Sequence, residues 1–279
     1  MRILVAFDKF KDALSAREAC QIAASEVGRH RPDWQIETAP LADGGDGFSD
    51  TLTGVLDGEF HTAKVMDPRR NKVEARFGLV PVQNIPLAAR KLLNWSSEIE
   101  KVAIIEMAES SGIALTPIEG RSPWDVTTAG LGELVKVAQK KGAHGAIIGL
   151  GGSATHDLAL GALWKLGYRF HDKNGNEIDE APVPRIWPQI SKISLPRCEL
   201  PSSFEMRLAC DVDNPLLGSR GGAAIFGPQK GLTEDRFQEL ESETERLANL
   251  LVATAGAHAA LPDDEGAGAA GGAAFGLKA

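Results

Sequence analysis

Two carboxylates lie among three glycines in the segment "PLADGGDGFSD" (Pro40–Asp50). The carboxylates are Asp43 and Asp46. Glycine lets the backbone turn sharply or approach a ligand closely. A carboxylate repels a phosphate group unless a cation lies between them. The pattern therefore indicates a metal site or part of a phosphoryl-transfer centre, and an ordinary tight turn is the alternative.

A second acidic segment, "ACDVDNPLLG", contains Asp211, Asp213 and Asn214. Alternate residues of an extended chain project to the same side, so the two carboxylates could converge on one Mg²⁺ or on one hydroxyl group. Oxygen ligands of this kind suit Mg²⁺ that is shared between protein and phosphate. A turn that begins at Asp213 explains the same residues equally well.

The third segment, "GLGGSATHD" (Gly149–Asp157), is rich in glycine and hydroxyl groups. Its backbone N–H groups, with the hydroxyls of Ser153 and Thr155, could surround a phosphate or a carboxylate. The spacing from Gly149 to Ala154 also matches a dinucleotide fingerprint, with Asp172 as the ribose-binding acid. An NAD-dependent oxidoreductase is therefore one alternative, and a strand-to-helix turn capped by one of the hydroxyls is another.

Three lysines accompany these loops. Lys9 and Lys11 follow Asp8 in "DKFK", and Lys230 lies near glycines in "RGGAAIFGPQKG". Each suits a phosphate, although lysines on a solvated surface are commoner. Transfer of a phosphoryl group to a hydroxyl would use all of these parts. A carboxylate would position or deprotonate the hydroxyl, and cations and backbone amides would hold the phosphates.

The elements that would position these loops alternate between strand and helix. "RILVAF" (Arg2–Phe7) and "WQIETAPL" (Trp34–Leu41) predict buried parallel strands, and Ser15 with Glu18 predicts a capping box at the start of the helix between them. The Asp8 and Asp43 loops then follow strand ends, where ligands bind in open α/β sheets.

The rest of the chain continues the same alternation, which predicts the α/β class. "HTAKVMD" and "KVEARFGLV" predict a hairpin around Pro68–Asn71. Further strands are predicted in "KVAIIEMA", in "GAIIG" before the glycine loop, and in "FEMRLA" before the acidic loop. Helices are predicted in "TTAGLGELVKVAQKKGA" and in "TEDRFQELESETERLANLLVATAG".

Composition excludes several functional classes. The 279 residues carry 30 Lys and Arg against 38 Asp and Glu, a net charge of −8, which argues against nucleic-acid or anionic-membrane binding. No apolar run approaches the roughly 20 residues of a membrane span, and the charged start does not resemble a signal peptide. Cys20, Cys198 and Cys210 lack metal-ligand spacing and indicate reduced thiols in a cytoplasmic protein.

Five segments together resemble the bacterial glycerate kinase type-1 family. They occur in the order "DKFKDALSA", "LADGGDG", "IEMAESSGI", "GLGGSATHD" and "ACDVDNPLLGSRGGAAIFGPQKG". The resemblance implies a kinase that phosphorylates D-glycerate with ATP and Mg²⁺, usually to 2-phosphoglycerate. It also implies two α/β domains, the second inserted into a Rossmann-like first domain. We expect the first at 1–82 and 262–279 and the second at 83–261.

The resemblance places most of the following residues at the family's motif positions, and we infer their individual roles. The expected catalytic residues are Asp43, Asp211 and Asp213, of which the last two are also the expected metal ligands. The expected substrate-binding residues are Asp8, Lys11, Gly44, Gly45, Asp46 and Asn214. The expected phosphate-binding residues are Gly151, Gly152, Ser153, Asp157 and Lys230.

The chain departs from the family pattern at several positions. Asp46 stands where Glu is usual, His156 stands where Asn is usual, and "LAL" replaces a glycine pair after Asp157. Family members also continue beyond the final "GAGAAGGAAFGLKA". We therefore expect a fragment, or a fold without part of its first sheet, that is less stable than a longer relative. A glycerate- or nucleotide-binding remnant without turnover is the alternative to an active kinase.

Overall fold

The predicted capping box begins the first helix of the protein. In this computed structural model, which describes residues 1–11, 13–196, 200–201 and 203–279, α1 spans Ala16–His30. Ser15 Oγ accepts the Glu18 N–H, and the Glu18 carboxylate accepts the Ser15 N–H at 2.9 Å. Both ends of the capping box are therefore formed. Cys198 lies outside the described residues.

The α1 helix connects two parallel strands, β1 (Arg2–Val5) and β2 (Gln35–Thr38). The prediction of a buried β1 was wrong in one respect. Only Val5 of this strand is buried, whereas Leu4 is 62% exposed, because β1 pairs with β2 and with no other strand in the described part of the chain. The prediction that the Asp8 and Asp43 loops follow strand ends is confirmed.

Among the described residues the main sheet has five strands. In their order across the sheet they are β3 (Glu59–Met66), β4 (Lys72–Pro81), β5 (Lys101–Glu106), β6 (Gly145–Gly149) and β9 (Glu205–Ala209). The predicted hairpin is confirmed as β3 and β4, and β5, β6 and β9 run parallel. Glu106 pairs with Gly149, and Gly149 pairs with Ala209, so the three parallel strands end level with one another.

Helices pack on both faces of this sheet, and others lie beside it. The longer ones are α2 (Phe48–Val55), α5 (Ala129–Lys140), α8 (Glu234–Ala255) and α9 (Ala269–Lys278). The shorter ones are α3 (Leu87–Leu93), α4 (Ala108–Ser111), α6 (Leu160–Lys165) and α7 (Gly222–Phe226). A small antiparallel sheet joins β7 (Arg169–His171) to β8 (Lys192–Ser194).

The core explains why β5 reads as a continuous apolar run. Ile105 belongs to a buried cluster with Leu131 and Leu134 of α5, whereas its neighbour Ile104 belongs to a cluster with Phe48 of α2. Successive side chains of a strand point to opposite faces, so both faces of the sheet are buried. A further cluster, around Trp187, lies beside α8. The α/β class is confirmed.

The strand pairing groups the chain differently from the predicted domain division. Residues 59–82 were assigned to the first domain, yet β3 and β4 belong to the same sheet as β5. Residues 262–279 were assigned there too, yet Ala273 and Ala274 of α9 lie in the core of that sheet. The division at 82 and 262 stays a prediction. No helix in the described part of the chain is long and apolar enough to cross a membrane.

Gly78 allows α2 to pack closely on β4. A Cβ atom on Gly78 would overlap Thr53 Oγ1, and Thr53 is completely buried. We therefore expect Gly78→Ala to lower the free energy of unfolding by about 1–3 kcal/mol, because overpacking displaces α2. Urea unfolding at pH 7 measures this change.

Gly28→Ala is the matched control. Gly28 lies inside α1, and a Cβ atom there would make an ordinary contact of 3.5 Å with Ile36. Because alanine favours a helix over glycine by about 0.5–1 kcal/mol, this variant should be as stable as the parent or more stable. Equal stabilities for the two variants would contradict close packing at Gly78.

Candidate active site

The level ends of β5, β6 and β9 form one edge, and the Asp43 loop lies against it. Gly151 N donates to Gly44 O at 2.9 Å. A Cβ atom on Gly151 would overlap Gly45 Cα, and one on Gly44 would lie 2.6 Å from Ala209 O. Gly44 also has φ +92°, which favours glycine. The glycines thus allow the loop after β2 and the loop after β6 to meet backbone to backbone.

Asp43 is held within this loop by two donors. Gly45 N donates to Asp43 Oδ1 at 2.8 Å, and Lys9 Nζ lies 3.1 Å from both carboxylate oxygens. Burial alone would raise the pKa of Asp43, but these two donors together keep it below its ordinary value. Asp43 is therefore an ionised acceptor at neutral pH. The Lys9 ammonium also lies 3.7 Å from Asp8.

Lys230 is a buried cation beside the glycine loop. It is 2% exposed, and its Nζ donates to Ser153 Oγ at 2.9 Å and to Thr155 O at 2.7 Å. A 3₁₀ turn, Pro228–Lys230, carries it there after α7. Burial lowers the pKa of Lys230 to about 7, although the Asp157 carboxylate acts in the opposite direction. A buried lysine with such a pKa is typical of functional sites.

Asp157 lies deeper than its predicted phosphate contact requires. It is completely buried, and its Oδ2 accepts Thr128 N at 2.7 Å, Thr128 Oγ1 at 2.9 Å and Gly161 N at 3.3 Å. Burial raises the pKa of Asp157 to about 6. These bonds join the start of α5 to α6, and the phosphate contact of Asp157 stays a prediction.

Two cavities open beside these loops. One, of about 580 Å³, is bounded by residues 8–11 and 13–17, the start of α2, Phe60 and Arg76. The other, of about 340 Å³, is bounded by residues 150–153, residues 210–212 and the Lys230 region. Lys11 and Asp46 line both cavities. The two cavities therefore meet at one cation and one carboxylate.

The cavities bring together most of the predicted site residues. Those that line one or both are Asp8, Lys11, Asp46, Gly151, Gly152, Ser153, Asp211 and Lys230. Asp213 lies apart, with its side chain 70% exposed and 3.3 Å from Arg220. The Asn214 amide donates to Arg220 O. The acidic segment thus directs Asp211, and not Asp213, into the smaller cavity.

The dinucleotide alternative lacks its expected geometry. After β6 the chain runs through an irregular loop, and α6 begins only at Leu160, preceded by Ala159 rather than by a capping hydroxyl. Asp172 Oδ1 accepts the N–H groups of Asn174 and Asn176 in an exposed turn. Asp172 therefore does not act as a ribose-binding acid next to the glycine loop.

Sequence reasoning missed three side chains of the larger cavity and one buried acid. Arg17, Phe60 and Arg76 line the cavity, and the Arg76 guanidinium lies 4.6 Å from the centre of the Phe60 ring. Their positions come from α1 and the β3–β4 hairpin, which no motif connects to the loops. The buried acid is Glu106, the last residue of a predicted strand within "IEMAESSGI". Its position at the common edge of the strands could have indicated that it belongs to the site.

Similarity to known proteins shows the family of this chain. The profile of the glycerate kinase family matches residues 3–279. The chain belongs to this family. It is 35% identical to the glycerate kinase of Bacillus subtilis (strain 168) over 278 residues, which are 99% of this chain and 67% of that protein. It is also 35% identical over 289 residues to the glycerate 2-kinase of Escherichia coli (strain K12), covering 100% of this chain and 68% of that protein.

A solved structure shares the fold. A crystal structure described as that of a glycerate kinase 2 from Salmonella typhimurium LT2 aligns with a TM-score of 0.82 at 34% identity. The alignment covers 99% of this chain and 69% of that one. The chain is therefore a kinase of the glycerate kinase family, that is, a phosphotransferase that uses a nucleotide and a small-molecule substrate.

The backbone contact between the two glycine loops predicts a loss of activity when Gly151 is changed. Gly151→Ala would force Gly45 and Asp46 away from the strand edge, because the new Cβ atom overlaps Gly45 Cα. We expect kcat/KM to fall about 100-fold, since small misplacements of catalytic groups have effects of this size. Steady-state kinase assays measure the change.

Gly256→Ala is the control for a general loss of stability. Gly256 ends α8 with φ +71° and has open space around it. Alanine there should cost about 1 kcal/mol of stability through the left-handed backbone and should leave kcat/KM unchanged. If Gly256→Ala reduced kcat/KM as much as Gly151→Ala, close approach of the loops would not be the cause.

Proposed function

We propose that this chain phosphorylates D-glycerate with ATP and Mg²⁺ and forms 2-phosphoglycerate. The observation that carries the proposal is the pair of cavities that meet at Lys11 and Asp46. A phosphoryl transfer needs a donor site and an acceptor site with a shared boundary, and the residues at that boundary must position the reacting groups.

The smaller cavity suits the phosphate groups of the nucleotide. Its wall contains Gly151, Gly152 and Ser153, and the Lys230 ammonium reaches Ser153 Oγ. A buried cation stabilises the charge that develops during transfer more strongly than one in water does. We infer that Lys230 binds the transferred phosphoryl group while Ser153 orients the ammonium.

The larger cavity suits a small hydroxy acid. Lys11, Arg17 and Arg76 supply positive charge for a carboxylate. Asp46 supplies an acceptor for its hydroxyl groups. Asp43 lines neither cavity but holds Lys9, which lines the larger one. Because Asp43 has a lowered pKa, it is a weak base and acts mainly by orienting the Lys9 ammonium. The name of the Escherichia coli relative, glycerate 2-kinase, supports the 2-hydroxyl as the acceptor.

The residues present fit a nucleotide-bound Mg²⁺. Asp46 and Asp211 line the smaller cavity together. The described part of the chain has no group of three or more His, Cys, Asp or Glu side chains that could hold a metal by itself. Two carboxylates completed by phosphate and water oxygens are a usual Mg²⁺ environment. When bound, Mg²⁺ would neutralise negative charge on the phosphates. This assignment replaces the expected Asp211 and Asp213 pair.

The deciding experiment measures ADP release from MgATP with D-glycerate, with L-lactate and with no acceptor. Release that depends on D-glycerate supports the proposal. ³¹P NMR of the product then distinguishes the hydroxyl groups, since a 2-phosphate couples to one proton and a 3-phosphate to two. Binding of D-glycerate or ATP without release would favour the binding-remnant alternative, and hydride transfer with NAD would favour an oxidoreductase.

Asp43→Asn tests the role of the Asp43 carboxylate in the reaction. The amide keeps an acceptor for Gly45 N but loses the charge that holds Lys9. We expect kcat to fall about 10- to 100-fold with little change in stability, because the ion pair is partly exposed. Asp67→Asn is the control, since Asp67 Oδ1 accepts Arg69 N in a turn outside the cavities. Normal turnover by Asp43→Asn would refute the assignment.

The pKa of Lys230 predicts how kcat/KM changes above pH 7. Its pKa of about 7 means that the free enzyme loses this positive charge as pH rises above 7. We therefore expect kcat/KM for ATP to fall between pH 7 and pH 9, because kcat/KM reports the free enzyme.

A variant separates this effect from other titrations. Lys230→Met should lower kcat/KM about 100-fold and remove the decline above pH 7. Lys165→Met is the control, since Lys165 lies 3.3 Å from Glu133 away from the cavities. A decline that persists unchanged in Lys230→Met would assign it to another group.

A further inference from the structure

Glu106 is a buried acid that caps a helix from another part of the chain. It is the last residue of β5 and is 6% exposed. Its Oε2 accepts Ser49 N at 3.3 Å. The Gly47 amide approaches the same carboxyl group closely enough to lower its pKa. Gly47 is the N-cap residue of α2, and Ser49 is its second residue. Glu106 therefore connects the start of α2 to the edge of the main sheet.

The start of α2 depends on such an outside acceptor. Its N-cap residue is Gly47, which has φ +83° and no side chain that could accept a hydrogen bond. The first N–H groups of a helix have no partner within the helix, and the positive end of the helix favours a carboxylate. Ser49 Oγ makes a second connection, since it donates to Ile104 O at 3.1 Å.

The connection between Glu106 and α2 fixes the position of Asp46, the carboxylate that lines both cavities. Asp46 directly precedes Gly47, and its carboxylate lies so close to the glycine loop that a Cβ atom on Gly152 would be 2.8 Å from Asp46 Oδ1. Asp46 lines both cavities. If α2 moved away from β5, Asp46 would move away from the place where the cavities meet.

We propose that Glu106 is a positioning residue for the kinase reaction, which holds the amides of Gly47 and Ser49 and thereby fixes Asp46 at the junction of the two cavities. This inference rests on the proposed function of the cavities. Glu106 itself does not line either cavity, so it acts through the loop and not on a substrate.

The pH dependence of stability separates this role from a purely structural one. Burial raises the pKa of Glu106 to about 7, and the carboxylates of Glu109 on α4 and Asp46 on the loop add to the effect. An unfolded glutamate ionises near pH 4.5. Ionised Glu106 therefore lowers stability above pH 7, and this cost vanishes below about pH 4.5. A residue present only for stability would have the opposite sign.

The test compares Glu106→Gln with the parent chain in three measurements. The first is kcat and KM between pH 5.5 and pH 8. The second is the melting temperature at pH 5 and pH 8. The third is the ¹⁵N–¹H shift of the Ser49 and Gly47 amides, in chains labelled at serine and glycine, over the same pH range.

We expect distinct results for Glu106→Gln. At pH 8 kcat should fall about 10- to 100-fold, because the neutral amide holds the two N–H groups less well. In the parent, kcat/KM should rise with pH toward 7 as Glu106 ionises, and this rise should be absent from Glu106→Gln. The melting temperature at pH 8 should increase by about 2–4 °C, with no increase at pH 5. The parent amides should titrate near pH 7 and those of the variant should not.

Glu133→Gln is the matched control. Glu133 on α5 accepts a backbone N–H from Met66 at 2.8 Å, and it lies near Lys72 and Lys165 rather than near other acids. Removing its charge should lower the melting temperature and leave kcat unchanged. The control shows what the loss of a structural carboxylate does.

Three outcomes would overturn the inference. The first is an unchanged kcat in Glu106→Gln. The second is a lower melting temperature at pH 8 together with a loss of kcat no larger than that in the destabilised control Glu133→Gln. Amides that do not titrate in the parent would show that Glu106 does not hold them. A parent chain without glycerate-dependent ADP release refutes the proposed function as well, whereas an active parent with an equally active variant refutes the positioning role alone.

Discussion

The site depends on a backbone contact that only glycine permits. The loop after β2 and the loop after β6 come within hydrogen-bonding distance through Gly44 O and Gly151 N. Side chains at Gly44 or Gly151 would overlap the opposing backbone. Close packing leaves no space that could absorb even one extra methyl group. This contact brings Asp43 and Asp46, from the small two-stranded sheet, to the carboxyl edge of the main sheet.

Around this contact the fold buries charge at a cost to stability. Lys230 and Asp157 are both buried, with pKa values moved to about 7 and about 6 toward their neutral forms. His156, whose Nε2 lies 3.2 Å from Thr244 Oγ1, has a pKa lowered to about 3 by burial. Stability alone would favour apolar residues at such positions. A buried Lys230 with a shifted pKa beside a cavity is the arrangement expected of a functional site.

Two residues at which we expected departures from the family pattern fit their surroundings. His156 is a neutral, buried side chain against α8. The Asp46 carboxylate lies beside Gly152, because the two glycine loops are in contact.

The sequence by itself determined the α/β class, the capping box at Ser15, the β3–β4 hairpin and the strands that end at Glu106, Gly149 and Ala209. Each of these follows from local periodicity or local hydrogen bonding. It also indicated the acidic, glycine and lysine segments, because their composition carries the chemistry without any knowledge of the fold.

Only the tertiary structure decided which members of those segments meet. Asp211 and Asp213 are equivalent in the sequence, yet Asp211 lines a cavity and Asp213 pairs with Arg220 in solvent. Glu106 reads as the end of a strand, and its role as a cap for α2 depends on residues 57 or more positions away. Strand register and helix packing join segments that are distant in the chain, and no local pattern records those distances.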